Sequence, residues 1–175
     1  MSKTKYYYCE GTCQYANVYE SNRDMGNDFV DHSATDGQYQ ITMIFDEAQR
    51  DELVKNGVPT QVLGHKQIKP VEGGKFSYRF KRPHKSKYLK DSDGNQLVVG
   101  APDVIDIPAS VSKMKSEQGT KLWEHFVLLD DSTLIGNGSK VKIKYSVYQG
   151  RATIVQLESV GVIDLVEYQE KSNAA

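Results

Sequence analysis

Three lysines alternate with apolar residues in residues 140–148, a spacing that could bind a row of phosphates. In a β-strand, successive side chains point to opposite faces. One face would carry the apolar residues Val141, Ile143, Tyr145 and Val147. The other would carry Lys140, Lys142, Lys144, Ser146 and Tyr148. Cations that follow a phosphate backbone, with a ring that stacks on a base, are what binding of single-stranded nucleic acid requires. A solvated face with lysines that protect a sheet edge is the alternative.

A second basic stretch occupies residues 65–90, although the whole chain has a net charge of only −1. This stretch contains nine Lys and Arg residues and a single acid, Glu72. Such a run repels itself unless an anionic partner neutralises it. The candidates for phosphate binding are Arg79, Lys81, Arg82, Lys85 and Lys87. Tyr88 follows Pro83, so we expect it in an exposed loop where it could stack on a base.

Motifs that would indicate an enzyme are missing from the sequence. It contains no phosphate-binding P-loop, no dinucleotide-binding glycine pattern and no nucleophile elbow. The four histidines are scattered without the spacing of metal ligands. Asp103 and Asp106 could hold a cation, which keeps a metal-dependent nuclease open as the weakest reading. We therefore expect no catalytic residues, no metal and no cofactor.

The order of the predicted elements indicates an all-β domain with little helix. Long strands are expected in residues 6–19, 39–45, 75–81 and 140–148, and in a final segment that ends near residue 168. Asp46 is a suitable N-cap for a short helix that ends near Lys55. Residues 109–120 are polar and could be helical or mobile. The pattern favours an OB-fold-type five-stranded β-barrel with one short helix and extended loops, and a two-sheet sandwich is the alternative.

The last third of the chain resembles a known family. Residues 134–146 look like the glycine turn and basic strand of the single-stranded DNA-binding proteins of lytic tailed bacteriophages. Residues 155–160 look like the strand that follows in those proteins, and residues 101–106 resemble another of their segments. The resemblance implies an OB fold, sequence-independent binding of single-stranded DNA and no cofactor. It also implies a role in phage DNA replication, recombination and repair, in the cytoplasm of the infected bacterial host.

The resemblance leaves the protein partners open. Phage replication proteins, such as a polymerase or a helicase-primase, are candidates, and so is a second copy in a homodimer. Such phage proteins often recruit partners through a long acidic tail, whereas residues 169–175 are short and nearly neutral. We expect one DNA-binding domain over residues 1–168, this tail, and no membrane contact. The alternative function is a non-enzymatic phage structural or scaffold β-protein whose basic stretch contacts another protein.

Overall fold

The computed structural model of the protein describes residues 3–60, 67–116, 125–150 and 152–168. Within these ranges the chain forms ten β-strands, two α-helices and three short 3-10 turns. The strands are β1 (Lys3–Asn17), β2 (Gln38–Phe45), β3 (Lys69–Val71), β4 (Lys75–Pro83), β5 (Lys85–Lys90), β6 (Gln96–Val98), β7 (Asp103–Asp106), β8 (Val127–Leu128), β9 (Lys140–Gln149) and β10 (Thr153–Asp164). The helices are α1 (Glu47–Lys55) and α2 (Ile107–Ser116).

Eight strands form one open sheet in the order β3-β4-β2-β1-β9-β10-β7-β8. Neighbouring strands are antiparallel, except that β7 runs parallel to β10. Strands β5 and β6 form a separate hairpin. The prediction of a mostly β protein is confirmed, and the order β4-β2-β1-β9-β10 is consistent with an OB-like fold. The prediction of a closed five-stranded barrel is wrong.

The extra strands are too short for their side-chain pattern to reveal them. Strand β3 has three residues, all of them exposed, and β8 has only two residues. Gly100 turns the chain with a φ of 81° and separates β6 from β7, so each of these two strands is only three or four residues long. Alternation over two to four residues carries little information, so only the longer strands were found.

The helix content also differs from the prediction. Helix α1 lies where it was expected, and the Asp46 carboxylate caps it by accepting a hydrogen bond from the Gln49 N–H at 2.9 Å. Helix α2 overlaps residues 109–120, which were expected to be helical or mobile, and as a second helix it shows that the prediction of a single helix is wrong. The Asp106 carboxylate accepts the Ala109 N–H at 3.0 Å and caps the start of α2. Neither described helix is long and apolar enough to cross a membrane.

Strand β1 connects the two halves of the sheet. Its residues 3–12 pair with β9, and its residues 12–17 pair with β2. Gly11 lies at the change of partner, where the strands approach closely. A Cβ atom at Gly11 would lie 2.2 Å from the carbonyl oxygen of Ile44, so this approach requires glycine. The long tyrosine-rich strand predicted for the N-terminus is therefore confirmed, and it has two partners.

The core lies under the inner face of β1, β2, β4, β9 and β10. The predicted apolar face of β9 is confirmed, because Val141, Ile143, Tyr145 and Val147 are all buried, but Ser146, predicted for the solvent face, is buried as well. The Tyr145 ring lies 5.1 Å from the Phe80 ring, and its hydroxyl oxygen accepts a hydrogen bond from Asn56 Nδ2 at 3.0 Å. Burial raises the pKa of Tyr145 to about 12, so the phenol stays neutral at physiological pH.

Replacing Tyr145 tests this packing. Tyr145→Ala should lower the free energy of unfolding by about 3–5 kcal/mol, because it leaves a large cavity among fully buried side chains. Tyr145→Phe keeps the ring and loses only the bond to Asn56, so it should cost about 1 kcal/mol. Urea denaturation measures both values. Equal and small losses for the two variants would show that the ring is not part of the core.

Candidate nucleic-acid interface

The outer face of β9 presents the predicted lysines to solvent. Lys140 and Lys142 are exposed, whereas Lys144 and Tyr148 are half-buried. Lys140 Nζ lies 3.5 Å from a carboxylate oxygen of Glu10 on β1, but both side chains are about half exposed. Such a pair contributes little in water, so Lys140 can exchange this partner for a phosphate. The four residues share one face of the strand, as their spacing requires.

Strand β1 places two exposed tyrosines beside these lysines. In the β1–β9 register, Tyr8 lies opposite Lys144 and Tyr6 lies opposite Ser146. Lys142 Nζ lies 5.3 Å from the centre of the Tyr8 ring, and Lys144 Nζ lies 5.0 Å from the centre of the Tyr6 ring. These distances are typical of cation–π contacts. Tyr6 and Tyr8 are 56% and 58% exposed, so both rings remain accessible to a ligand.

The two tyrosines were not among the site residues predicted from the sequence. Tyr6 and Tyr8 alternate with Tyr7 and Cys9, which lie on the inner face of β1 and pack against the core. The alternation along β1 was visible in the sequence. The sequence did not show that β1 pairs with β9. We call Tyr6, Tyr8, Lys142, Lys144 and Tyr148 the tyrosine–lysine surface.

A groove of about 640 Å³ adjoins this surface. Its residues come from β1, β9, β10, β7, the first turn of α2 and the segment before β8. They are Tyr8, Asp103, Ile105, Ile107, Phe126, Lys142, Lys144, Glu158, Ser159 and Gly161. The volume is in the range of pockets that bind small ligands. The groove therefore joins an apolar floor to a wall that carries two lysines and a tyrosine.

The second basic stretch does not lie on this surface as one unit. Arg79 and Lys81 on β4 lie opposite Thr42 and Gln40 of β2. Strand β2 pairs with residues 12–17 of β1, whereas the β9 lysines lie along residues 3–12. Arg79 and Lys81 therefore lie on the side of residues 12–17 of β1. The tyrosine–lysine surface lies along the other half of that strand.

Arg82 holds β4 and β10 together instead of facing solvent. Its Nη1 donates to the Leu157 carbonyl oxygen and to the Glu158 carboxylate, both at 3.1 Å. Its Nε and Nη2 donate to the carbonyl oxygens of Gly100 and Val99 at 2.8 and 3.1 Å. These bonds use four of the five N–H groups of the guanidinium and the side chain is only 13% exposed, so Arg82 is largely committed to holding the structure together.

The remaining candidates lie on the hairpin of β5 and β6. Lys85 Nζ is 3.4 Å from an Asp36 carboxylate oxygen, and hydrogen bonding to Lys85 lowers the pKa of Asp36. Lys87 Nζ lies 5.6 Å from the centre of the Tyr88 ring. Tyr88 is 83% exposed, as predicted, although it lies in a strand and not in a loop. Val99 and Gly100, at the base of the hairpin, accept hydrogen bonds from Arg82. Arg82 also binds Glu158, which lines the groove, so the base of the hairpin is connected to the groove.

The carboxylates of the described residues do not form a metal site. No group of three or more His, Cys, Asp or Glu side chains in the described ranges is arranged to hold a metal ion. Asp106, one of the two candidates for cation binding, uses its carboxylate to cap α2. Asp103 lies on the wall of the groove that faces the lysines.

Replacing Arg82 tests its structural role. Arg82→Met should lower the free energy of unfolding by about 2–4 kcal/mol, because Glu158 and three carbonyl oxygens lose a largely buried donor. Arg79→Met, two residues earlier on the same strand, should change it by about 0.5 kcal/mol or less. Both values are measured by urea denaturation. Similar losses for the two variants would contradict the role of Arg82 as the link between β4 and β10.

Comparison with solved structures finds matches among phage proteins. The crystal structure of gp2.5, a single-stranded DNA-binding protein encoded by bacteriophage T7, superposes with a TM-score of 0.58 and 21% sequence identity. The match covers 98% of this chain and 97% of that one. The single-stranded DNA-binding protein from bacteriophage Enc34 gives a TM-score of 0.48 at 11% identity, over 97% of this chain and 87% of that one.

Comparison at the level of sequence finds no relative of this chain. No protein-family model matches the chain, and no curated protein matches it significantly. At 21% identity the superposition establishes a shared architecture. Over nearly its whole length, this chain is similar in fold to the single-stranded DNA-binding protein of bacteriophage T7.

Proposed function

We propose that this protein binds single-stranded DNA through the tyrosine–lysine surface and is not an enzyme. The observation that carries the proposal is the contact of two exposed tyrosines on β1 with two lysines on β9. Rings that stack on bases and cations that neutralise phosphates are then interleaved on one face. The similarity in fold to a phage single-stranded DNA-binding protein supports the same function.

The proposed path of the DNA follows the outer face of β9. Lys140, Lys142 and Lys144 would bind successive phosphates, while Tyr6, Tyr8 and Tyr148 would stack on bases. Lys85, Lys87 and Tyr88 would extend the contact onto the hairpin, whose base lies beside the groove. Arg79 and Lys81 would bind only a strand long enough to continue around the sheet. Arg82 would act by holding the hairpin and the groove in place.

In a cell, this binding would coat and protect single-stranded DNA during phage replication, recombination and repair. The protein would act in the cytoplasm of the infected bacterium. Phage replication proteins, such as the polymerase and the helicase-primase, would be its partners, and it would act as a monomer or as a homodimer. Binding would be largely independent of sequence, because phosphate contacts and stacking are available to every nucleotide.

Salt dependence tests the phosphate contacts. The affinity for single-stranded DNA should fall as salt rises, with a log–log slope of about −0.7 for each phosphate contact. Lys142→Met should reduce the size of the slope by about 0.7. Lys55→Met, at an exposed position of α1, should leave it unchanged. Fluorescence anisotropy with single-stranded DNA, duplex DNA and RNA gives the slopes and the preference. A slope near zero would favour the alternative of a structural protein.

Removing the tyrosine rings tests the stacking contacts. The double variant Tyr6→Ala, Tyr8→Ala should weaken binding by about 1–3 kcal/mol for each ring that stacks on a base. Its melting temperature should change little, because both rings are more than half exposed. Tyr15→Ala, which removes a ring with 62% exposure from the other half of β1, is the matched control. Unchanged binding by the double variant would exclude β1 as the stacking platform.

A further inference from the structure

The groove beside the tyrosine–lysine surface has charges of opposite sign on its two walls. In the β-sheet register, Tyr8 lies opposite Lys144, Lys144 opposite Ser159, and Ser159 opposite Asp103. Strands in a sheet are about 4.8 Å apart, so Asp103 lies roughly 10 Å from the lysine strand. A single row across four strands thus runs from an aromatic ring, through a cation, to a carboxylate.

The two carboxylates of the groove differ in what they can still bind. Glu158 accepts hydrogen bonds from Arg82 at 3.1 Å, from Ser146 Oγ at 2.7 Å and from Gln156 Nε2 at 3.3 Å. Asp103 is exposed, and its carboxylate makes no hydrogen bond or ion pair with any residue that the structure describes. A carboxylate accepts hydrogen bonds and donates none when it is ionised. Asp103 is therefore an open acceptor in the lining of the groove.

The floor between the two walls contains Ser159 and Gly161 of β10 and is otherwise mostly apolar. Gly161 lies between Lys142 and Ile105 in the register and has no side chain to fill the space. The Ile107 side chain lies against it, since a Cβ atom at Gly161 would be 2.5 Å from Ile107 Cδ1. Phe126, 40% exposed, adds an aromatic ring to the lining. This floor suits the face of a nucleobase, and the volume of about 640 Å³ is sufficient for one.

We propose that the groove reads the edge of one base and favours bases that carry an exocyclic amino group over thymine and uracil. This inference rests on the proposed binding of single-stranded DNA. Lys142 and Lys144 hold the phosphate on one wall, and the negative wall keeps the backbone away from the opposite side. The base then lies on the apolar floor with its edge toward Asp103. Cytosine presents its N4 amino group to such an acceptor, whereas thymine and uracil present a carbonyl oxygen at that position.

The pair that comes nearest to isolating this contact is oligo(dC) against oligo(dU) of equal length, since both bases are pyrimidines without a methyl group and differ only at positions 3 and 4 of the base edge. The wild-type protein should bind oligo(dC) about fivefold more tightly, the lower end of what one base contact contributes at an exposed site. Asp103→Asn should remove most of this difference, because an amide offers a donor as well as an acceptor. Anisotropy titrations at pH 8 and constant salt measure the ratio.

The control variant is Asp131→Asn, which removes the same charge from an exposed turn between β8 and β9 and should keep the wild-type ratio. Equal affinities of the wild type for the two oligonucleotides, a result that needs no variant, would overturn the inference. So would a preference that survives in Asp103→Asn with an unchanged melting temperature. In both cases salt-dependent binding would remain, so the proposed function would stand. Failure of the wild type to bind either oligonucleotide would instead overturn both.

Discussion

The double pairing of β1 is the constraint on which the rest of the structure depends. One continuous strand pairs with β9 along its first part and with β2 along its last part, and Gly11 permits the close approach between them. Because side chains alternate along β1, its inner face supplies Cys9 and Cys13 to the core. Its outer face supplies Tyr6 and Tyr8 to the surface. A shift of this register by one residue would bury the exposed rings and expose the core side chains.

The same constraint makes the candidate site rigid. The tyrosines and the lysines lie on adjacent strands of a sheet, whose backbone hydrogen bonds fix their relative positions, and not on loops. The backbone of the proposed site would therefore lose little conformational entropy on binding, which would favour affinity. The cation–π contacts also hold the lysine heads over the rings before a ligand arrives. The bases of a DNA strand would compete with the lysines for the faces of the tyrosine rings. A base that stacks on a ring would therefore have to displace the lysine or share the ring with it.

The buried network around Arg82 connects parts that the sheet order keeps apart. In that order β4 and β10 are separated by three other strands, yet Arg82 on β4 binds the backbone and a side chain of β10. The same side chain binds the carbonyl oxygens at the end of the hairpin. The network thereby places the hairpin beside the groove. It also satisfies the Glu158 carboxylate, so Glu158 contributes little free charge to the groove wall.

The sequence by itself determined the features that depend on local periodicity and composition. The alternation of residues 140–148 is long enough to identify the apolar β9 side chains that are buried, because each misplaced apolar residue would cost burial energy. The Asp46 cap identified the start of helix α1. The uneven charge and the resemblance of residues 134–146 to phage proteins indicated the class of ligand.

Only the tertiary structure decided which residues meet. Tyr6 and Lys144 are far apart in the chain, and no local pattern specifies that β1 pairs with β9 in the observed register. Arg82 has the same charge as Arg79, but three carbonyl oxygens and a carboxylate surround only Arg82. The number of strands was also decided at this level, because a strand of two or three residues is stable only where a neighbouring strand completes its hydrogen bonds. Pairing between distant segments depends on how the whole sheet packs. The periodicity along one segment carries no information about that packing.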